Sequence, residues 1–163
     1  MYNLGVRRDT SCDVLRRWEQ KAFVRLPPDD DGRLVFSFGV NDCLHENGRP
    51  RVSTDVSVAN TRTILSRASA IWPTLMIGPP STGDASLDRL VLNQSDQMDL
   101  VCRELPAPFL PLFQTTRGRR RWQREAEQGD GIHPNRRVYQ LIANAVSTWH
   151  GWKSWIDLSH VLQ

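Results

Sequence analysis

No stretch of this 163-residue chain approaches the ~18 consecutive apolar residues that a membrane-spanning helix needs, so no span is predicted. The opening residues Met1 to Arg8 do not read as a signal peptide, because charge arrives before any apolar stretch of useful length. Cysteine is scarce. Cys12, Cys43 and Cys102 lie far apart and form no CxxC pair, which argues against a disulfide framework and against a zinc site. Free thiols in a reducing, cytoplasmic compartment are the expectation, with no metal. Repeats and low-complexity tracts are absent, and so is any Gly-rich phosphate loop, which removes the case for a nucleotide-binding module. The net charge of +3 is a mild excess, spread along the chain apart from the run from Arg117 to Arg124. Only Trp122 interleaves an aromatic with that run, so no nucleic-acid partner is expected. Its plain reading is a solvated segment; the alternative is a basic border to an active-site mouth.

What the chain does contain suits one globular domain over residues 1–163, with 39% hydrophobic and 24% charged residues. Asp9, Thr10 and Ser11 offer caps for a helix from Cys12 to Val24, whose apolar positions Val14, Leu15, Trp18, Ala22 and Phe23 share a face. Leu34 to Phe38 reads as a buried strand. Ser53 could cap a second helix carrying Val56, Ile64, Leu65, Ala68 and Ile71, which Pro73 stops. Thr74 to Gly78 is a second strand. A helix over residues 86–104 follows, with Leu90, Val91, Met98, Val101 and Cys102 as core candidates. Phe109 to Phe113 makes a third, poorer strand, since Pro111 cannot donate to a ladder. A last helix runs through Leu141, Ile142, Ala145 and Val146. Such alternation of helix and strand predicts an α/β fold, a mainly parallel sheet with helices on both faces. Functional groups then gather beyond the carboxyl ends of the strands.

Two segments at such ends carry chemistry. Gly39-Val40-Asn41-Asp42 follows the best strand: glycine permits a sharp exit, and Asn41 can aim its amide N–H above the sheet edge. As an ordinary turn the same residues would need no function. Asp130-Gly131-Ile132-His133 precedes the last helix, where a carboxylate can hold an imidazole's tautomer while its other nitrogen serves as base. The plain alternative is a helix cap beside a surface histidine.

Taken together and in order, these segments resemble the SGNH/GDSL-type esterases and acylhydrolases. Phe36 to Asp42 is similar to that family's GxND block, and Asp130 to Asn135 to its DxxHP block, with Tyr139, Leu141 and Ala143 behind it. Tyr2 to Ser11 is similar to the second block, which runs from the second strand of the family's sheet into a helix. The resemblance implies a three-layer α/β/α sandwich of flavodoxin-like type and hydrolysis of small-molecule acyl esters through a Ser-His-Asp acyl-enzyme, without metal or cofactor. It assigns His133 as general base, Asp130 as its orienting partner and Asn41 as an oxyanion donor. Gly39 and Arg8 would border the pocket, the backbone N–H of Arg8 standing where many members carry a glycine.

One block is missing: no Gly-Asp-Ser triplet, the source of the family's nucleophile, occurs in these residues. By resemblance it belongs on the loop after a first, interior strand upstream of Tyr2, so the first strand is expected to be missing and the chain to be inactive as it stands. Ser37 lies inside a strand, Ser11 is placed for capping, and Ser81 follows Pro79-Pro80 without a supporting motif. A misassigned start codon is one explanation; the alternative is an inactive, ligand-binding relative or a truncated gene product. Finally, Trp149, Trp152 and Trp155 recur at three-residue steps near the C-terminus. Packing on the domain is their expected use, with a homodimer contact as the alternative. His45, just past the GxND block, is expected on a loop surface or at the pocket edge.

Overall fold

The computed structural model describes residues 1–27, 31–117 and 136–156, excepting the side chains of residues 136 and 137. Its first helix, α1 (Ser11–Phe23), begins where the sequence places caps. The Thr10 hydroxyl accepts from the Asp13 N–H, and the Asp13 carboxylate accepts from the Thr10 N–H at 2.9 Å, a reciprocal capping box. The strand β1 (Leu34–Ser37) leads through a one-turn helix α2 (Val40–Cys43) into a small hairpin, β2 (His45–Glu46) and β3 (Arg49–Pro50). Ser53 caps α3 (Thr54–Ser69), β4 (Thr74–Ile77) follows, and Asp84 caps α4 (Ala85–Arg103). The chain then passes through β5 (Phe109–Leu110), α5 (Leu112–Thr116), α6 (Arg136–Thr148) and α7 (His150–Ile156).

The three longer-range strands form one parallel sheet in the order β1-β4-β5, flanked by helices. Phe36 and Met76 are in register and point into a core with Trp18, Ala22, Ile64, Leu65, Ala68, Met98 and Cys102. That core is the meeting of the apolar stripes of α1, α3 and α4. Trp18 meets Phe36 edge-on, with centroids 5.4 Å apart. Val35 faces the other way and is 41% exposed, because β1 is the edge of the sheet among the described residues. The Leu34 N–H donates to the Pro73 carbonyl, so Leu34 and Phe36 spend their backbone groups on β4. In a parallel ladder Val35 and Ser37 therefore turn theirs toward the open edge.

Three expectations change. Residues 1–6, read as entering from a strand, belong to no ladder. The third strand ends at Leu110, and Leu112 and Phe113 open α5 instead; Pro111 has no N–H to continue a ladder, and both apolar side chains are buried in the helix. Ile71, read as part of the second helix, lies beyond its end at Ser69, and both it and Val56 are exposed. The tryptophan segment lies against its own domain. Arg33, just before β1, donates to the Trp155 carbonyl and sits over the Trp155 ring at 5.8 Å. Among the described residues no helix is long and apolar enough to cross a membrane.

All three cysteines are free, but burial pushes the Cys43 and Cys102 thiols up to about 12, while Cys12 is only half-buried. Thiolate is the reactive form. Ellman's reagent at pH 8 is expected to label one cysteine quickly in the native protein and all three in denaturant; rapid native labelling of three would contradict this packing.

The capping box has a pH signature. Hydrogen bonds from the Thr10 side chain and backbone hold the Asp13 carboxyl at about 2, below its ordinary 3.8. A folded value below the unfolded one means the stabilisation is complete above about pH 4 and disappears as the pH falls through about 2. Thr10→Ala should lower the melting temperature by ~2–4 °C at neutral pH, the equivalent of one lost cap. Its NMR-detected Asp13 titration should move upward; an unmoved titration would mean the box does not set it.

Candidate active site

The site grows from the carboxyl end of β1. Gly39 leaves the strand with φ of 127°, and a Cβ there would stand 2.9 Å from Nε2 of Gln94. Both the backbone conformation and the space demand glycine. Gln94 uses that closeness to donate to the Gly39 carbonyl at 3.1 Å, while its Oε1 accepts from the Cys43 thiol.

Asp42, in the single turn of α2, is fully buried. Its carboxylate accepts from the Ser11 N–H at 2.7 Å, the Ser57 hydroxyl at 2.5 Å and Gln94 Nε2 at 3.5 Å. Three helices, α1, α3 and α4, each send one donor to this group. Ser11 is the first residue of α1, so its N–H also brings the positive end of a helix dipole. The Asp42 carbonyl accepts from Val52 at 3.0 Å, which ties the hairpin to the same loop.

With its neighbour so held, Asn41 is fixed at the rim. Its amide Nδ2 donates to the Asp9 carbonyl at 2.8 Å. Asp9 is itself clasped by Arg17, whose Nε is 2.6 Å from the carboxylate and whose other nitrogen reaches the Leu4 carbonyl. A cleft of about 240 Å³ opens between these parts. Gly5, Val6 and Asp9 line one side, and Ser37, Phe38, Gly39, Val40 and Asn41 the other, with Val14, Arg17, Pro79 and Pro80 completing it.

Of the residues singled out from the sequence, Asn41 and Gly39 line the cleft directly. Arg8 is not among the lining residues, though Asp9, next in the chain, is the partner of Asn41. Arg8 has φ of 70°, the left-handed conformation that a glycine adopts most readily. Asp130 and His133, and most of the arginine-rich run, lie outside the described residues. His45 is exposed in β2 and does not line the cleft. Ser81 is buried and donates to Asp88, and the Ser11 hydroxyl accepts from Asn60, so both hydroxyls serve the scaffold. Ser37 is the one serine among the lining residues.

Sequence reasoning missed Ser57 and Gln94. Both sit in the buried stripes of their helices: Gln94 between Val91 and Met98, and Ser57 below Thr61, Ile64 and Leu65. A polar residue where the 3.6-residue period calls for an apolar one was the available signal.

Removing the hub leaves several buried donors without an acceptor. Asp42→Ala is therefore expected to destabilise the protein by ~3–5 kcal/mol in urea denaturation. A loss below ~1 kcal/mol would show that the carboxylate does not organise the loop.

The GDSL-like Lipase/Acylhydrolase family model matches residues 1–141. No curated protein matches the sequence. Among solved structures, a catalytic histidine mutant of an acetylxylan esterase from Geobacillus stearothermophilus superposes with a TM-score of 0.73 at 16% identity, covering 88% of this chain and 68% of that one. A lipase/acylhydrolase from Enterococcus faecalis gives 0.65 at 21% identity, covering 85% and 69%. An alpha/beta hydrolase enzyme from the metagenome of Lake Arreo, Spain, gives 0.63 at 19% identity, covering 85% and 66%. At these identities the likeness is one of fold, and this chain spans about two thirds of each protein's length. A family match over most of its length, on a parallel sheet with the Gly39–Asp42 loop at its carboxyl edge, makes this chain a member of the GDSL-like lipase/acylhydrolase family.

Proposed function

We propose that this chain forms the body of an ester hydrolase that works through an acyl-enzyme. The observation that carries the reading is Asn41, clamped at the carboxyl end of β1 with its amide at the rim of a small cleft. A serine hydroxyl attacks the ester carbonyl while His133, oriented by Asp130, takes its proton. The Asn41 amide and the Arg8 backbone N–H stabilise the oxyanion of the tetrahedral intermediate. Collapse expels the alcohol, protonated by His133; water then releases the acid by the same steps in reverse.

The serine is the part these 163 residues do not supply in the family's form, since no Gly-Asp-Ser triplet occurs in them. The edge of β1, open among the described residues, offers it a seat. Val35 and Ser37 direct backbone groups outward there, and the Gly5–Asp9 segment stands across the cleft. A strand added in parallel along that edge would bring its carboxyl end, and a serine following it, to the level of Gly39 and Asn41. Esters with short acyl groups are the class to test first, given a cleft of about 240 Å³ and the acetylxylan esterase among the structural neighbours.

The test joins the chain to the residues encoded immediately upstream and measures turnover of p-nitrophenyl acetate. The expected result is a Gly-Asp-Ser in that segment, turnover abolished by His133→Ala, and kcat lowered on the order of 10²–10³ by Asn41→Ala. A folded, extended protein without turnover would favour a non-catalytic, ligand-binding relative. Loss of turnover on Ser37→Ala would move the nucleophile into β1 and overturn the reading in its present form.

A further inference from the structure

Residues Val6 to Asp9 make a tight turn in which the Asp9 N–H donates to the Val6 carbonyl at 3.3 Å. Arg8 is the third residue of that turn, with φ of 70°, while Arg7 is not among the residues of positive φ. This is the type II pattern, whose third position favours glycine because an L side chain crowds the following carbonyl. An arginine stays in that conformation only where its surroundings hold it there.

Two side chains grip the turn by successive carbonyls. Asn41 Nδ2 donates to the Asp9 carbonyl at 2.8 Å, and Arg51 Nη1 donates to the Arg8 carbonyl at 2.9 Å. Arg51 is anchored to the same loop as Asn41. Its N–H donates to the Leu44 carbonyl at 2.9 Å, and the next residue, Val52, donates to the Asp42 carbonyl at 3.0 Å. The side chain is partly buried, its bond to Arg8 lies at the surface, and its carboxylate neighbour Glu46 lies farther off, at 3.9 Å.

We propose that Arg51 is a positioning residue: through the Arg8 carbonyl it locks the Val6–Asp9 turn in its left-handed form, and so fixes the backbone facing Asn41 across the cleft. With the Asp9 N–H tied to Val6, the peptide unit between Arg8 and Asp9 is held at both ends. Its orientation sets where Val6 and Asp9 line the cleft, and where the preceding Arg8 N–H points. The consequence for catalysis rests on the hydrolase reading; the conformational role does not. A glycine at position 8 would adopt this turn unaided. Arg51 supplies from outside what the backbone lacks.

The experiment follows the Asp9 amide by hydrogen exchange in the 163-residue protein. Arg51→Ala should speed that exchange about tenfold, the equivalent of one hydrogen bond. Combining it with Arg8→Gly should return the rate to within about twofold of the natural protein, because glycine keeps the turn without the clasp. Arg51→Lys, which keeps charge and stem but loses the planar fork, should fall between them and serves if the alanine variant folds poorly. Glu46→Gln, which removes only the distant carboxylate, should change nothing. In the ester-hydrolysing form, Arg51→Ala should lower kcat with KM little changed, and Arg8→Gly should restore it. Acceleration that survives in the double variant, or that Glu46→Gln reproduces, overturns the proposal. The exchange pattern without any ester turnover would count against the hydrolase reading alone.

Discussion

A buried carboxylate has to be surrounded by donors, and Asp42 draws the functional end of this molecule together through that requirement. Its three donors come from helices that are far apart in sequence, so satisfying one side chain fixes the mutual placement of α1, α3 and α4 at their ends. The loop that carries Asp42 also carries Asn41, and the order in the chain matters. The residue pointing inward is held by protein donors, and its neighbour is thereby turned toward the cleft. Gln94 closes the arrangement by binding both Asp42 and the Gly39 carbonyl, which is why a side chain at Gly39 would not fit. Such a network stays rigid only if every member is satisfied.

The other wall of the cleft is held more lightly. The Gly5–Asp9 segment belongs to no ladder, and its position depends on side chains: Arg17 on Leu4 and Asp9, Asn41 on Asp9, Arg51 on Arg8. Beside it β1 presents, among the described residues, an open parallel edge, with Val35 exposed although its register partner Leu75 is buried. Parallel sheets are ordinarily covered on both faces and bordered by further elements. That edge and a wall held by clasps lie together beside the Gly39–Asp42 loop.

Much of the scaffold could be read from the chain because the deciding interactions are local. Thr10, Ser53 and Asp84 each cap the helix that follows through a hydroxyl or carboxylate and a backbone N–H a few residues away. The stripes of α1 and α4 follow the helical period, and Trp18, Ala22, Val91, Met98 and Val101 are buried as that period requires. Readings failed where tertiary competition decided. Leu112 and Phe113 were apolar enough for either a strand or a helix, and the lack of a donor at Pro111 gave them to α5. Val56 fits the apolar pattern of α3 yet is exposed, since only one face of that helix meets α1 and α4, and Ile71, also exposed, lies beyond the helix end at Ser69. The β2–β3 hairpin is two residues deep and carries no alternation by which to be seen.

By itself the sequence determined the alternation of helix and strand, the helix starts, and the family to which the chain belongs. Capping bonds, period and turn chemistry act over a few residues, and the order of short motifs along the chain points to the family. Only the tertiary structure decided that Asp42 is a hub, that Ser57 and Gln94 serve it, and that Arg51 reaches Arg8 across 43 positions. These are contacts between groups brought together by packing, and no local rule of the chain specifies which buried acceptor a distant donor will meet.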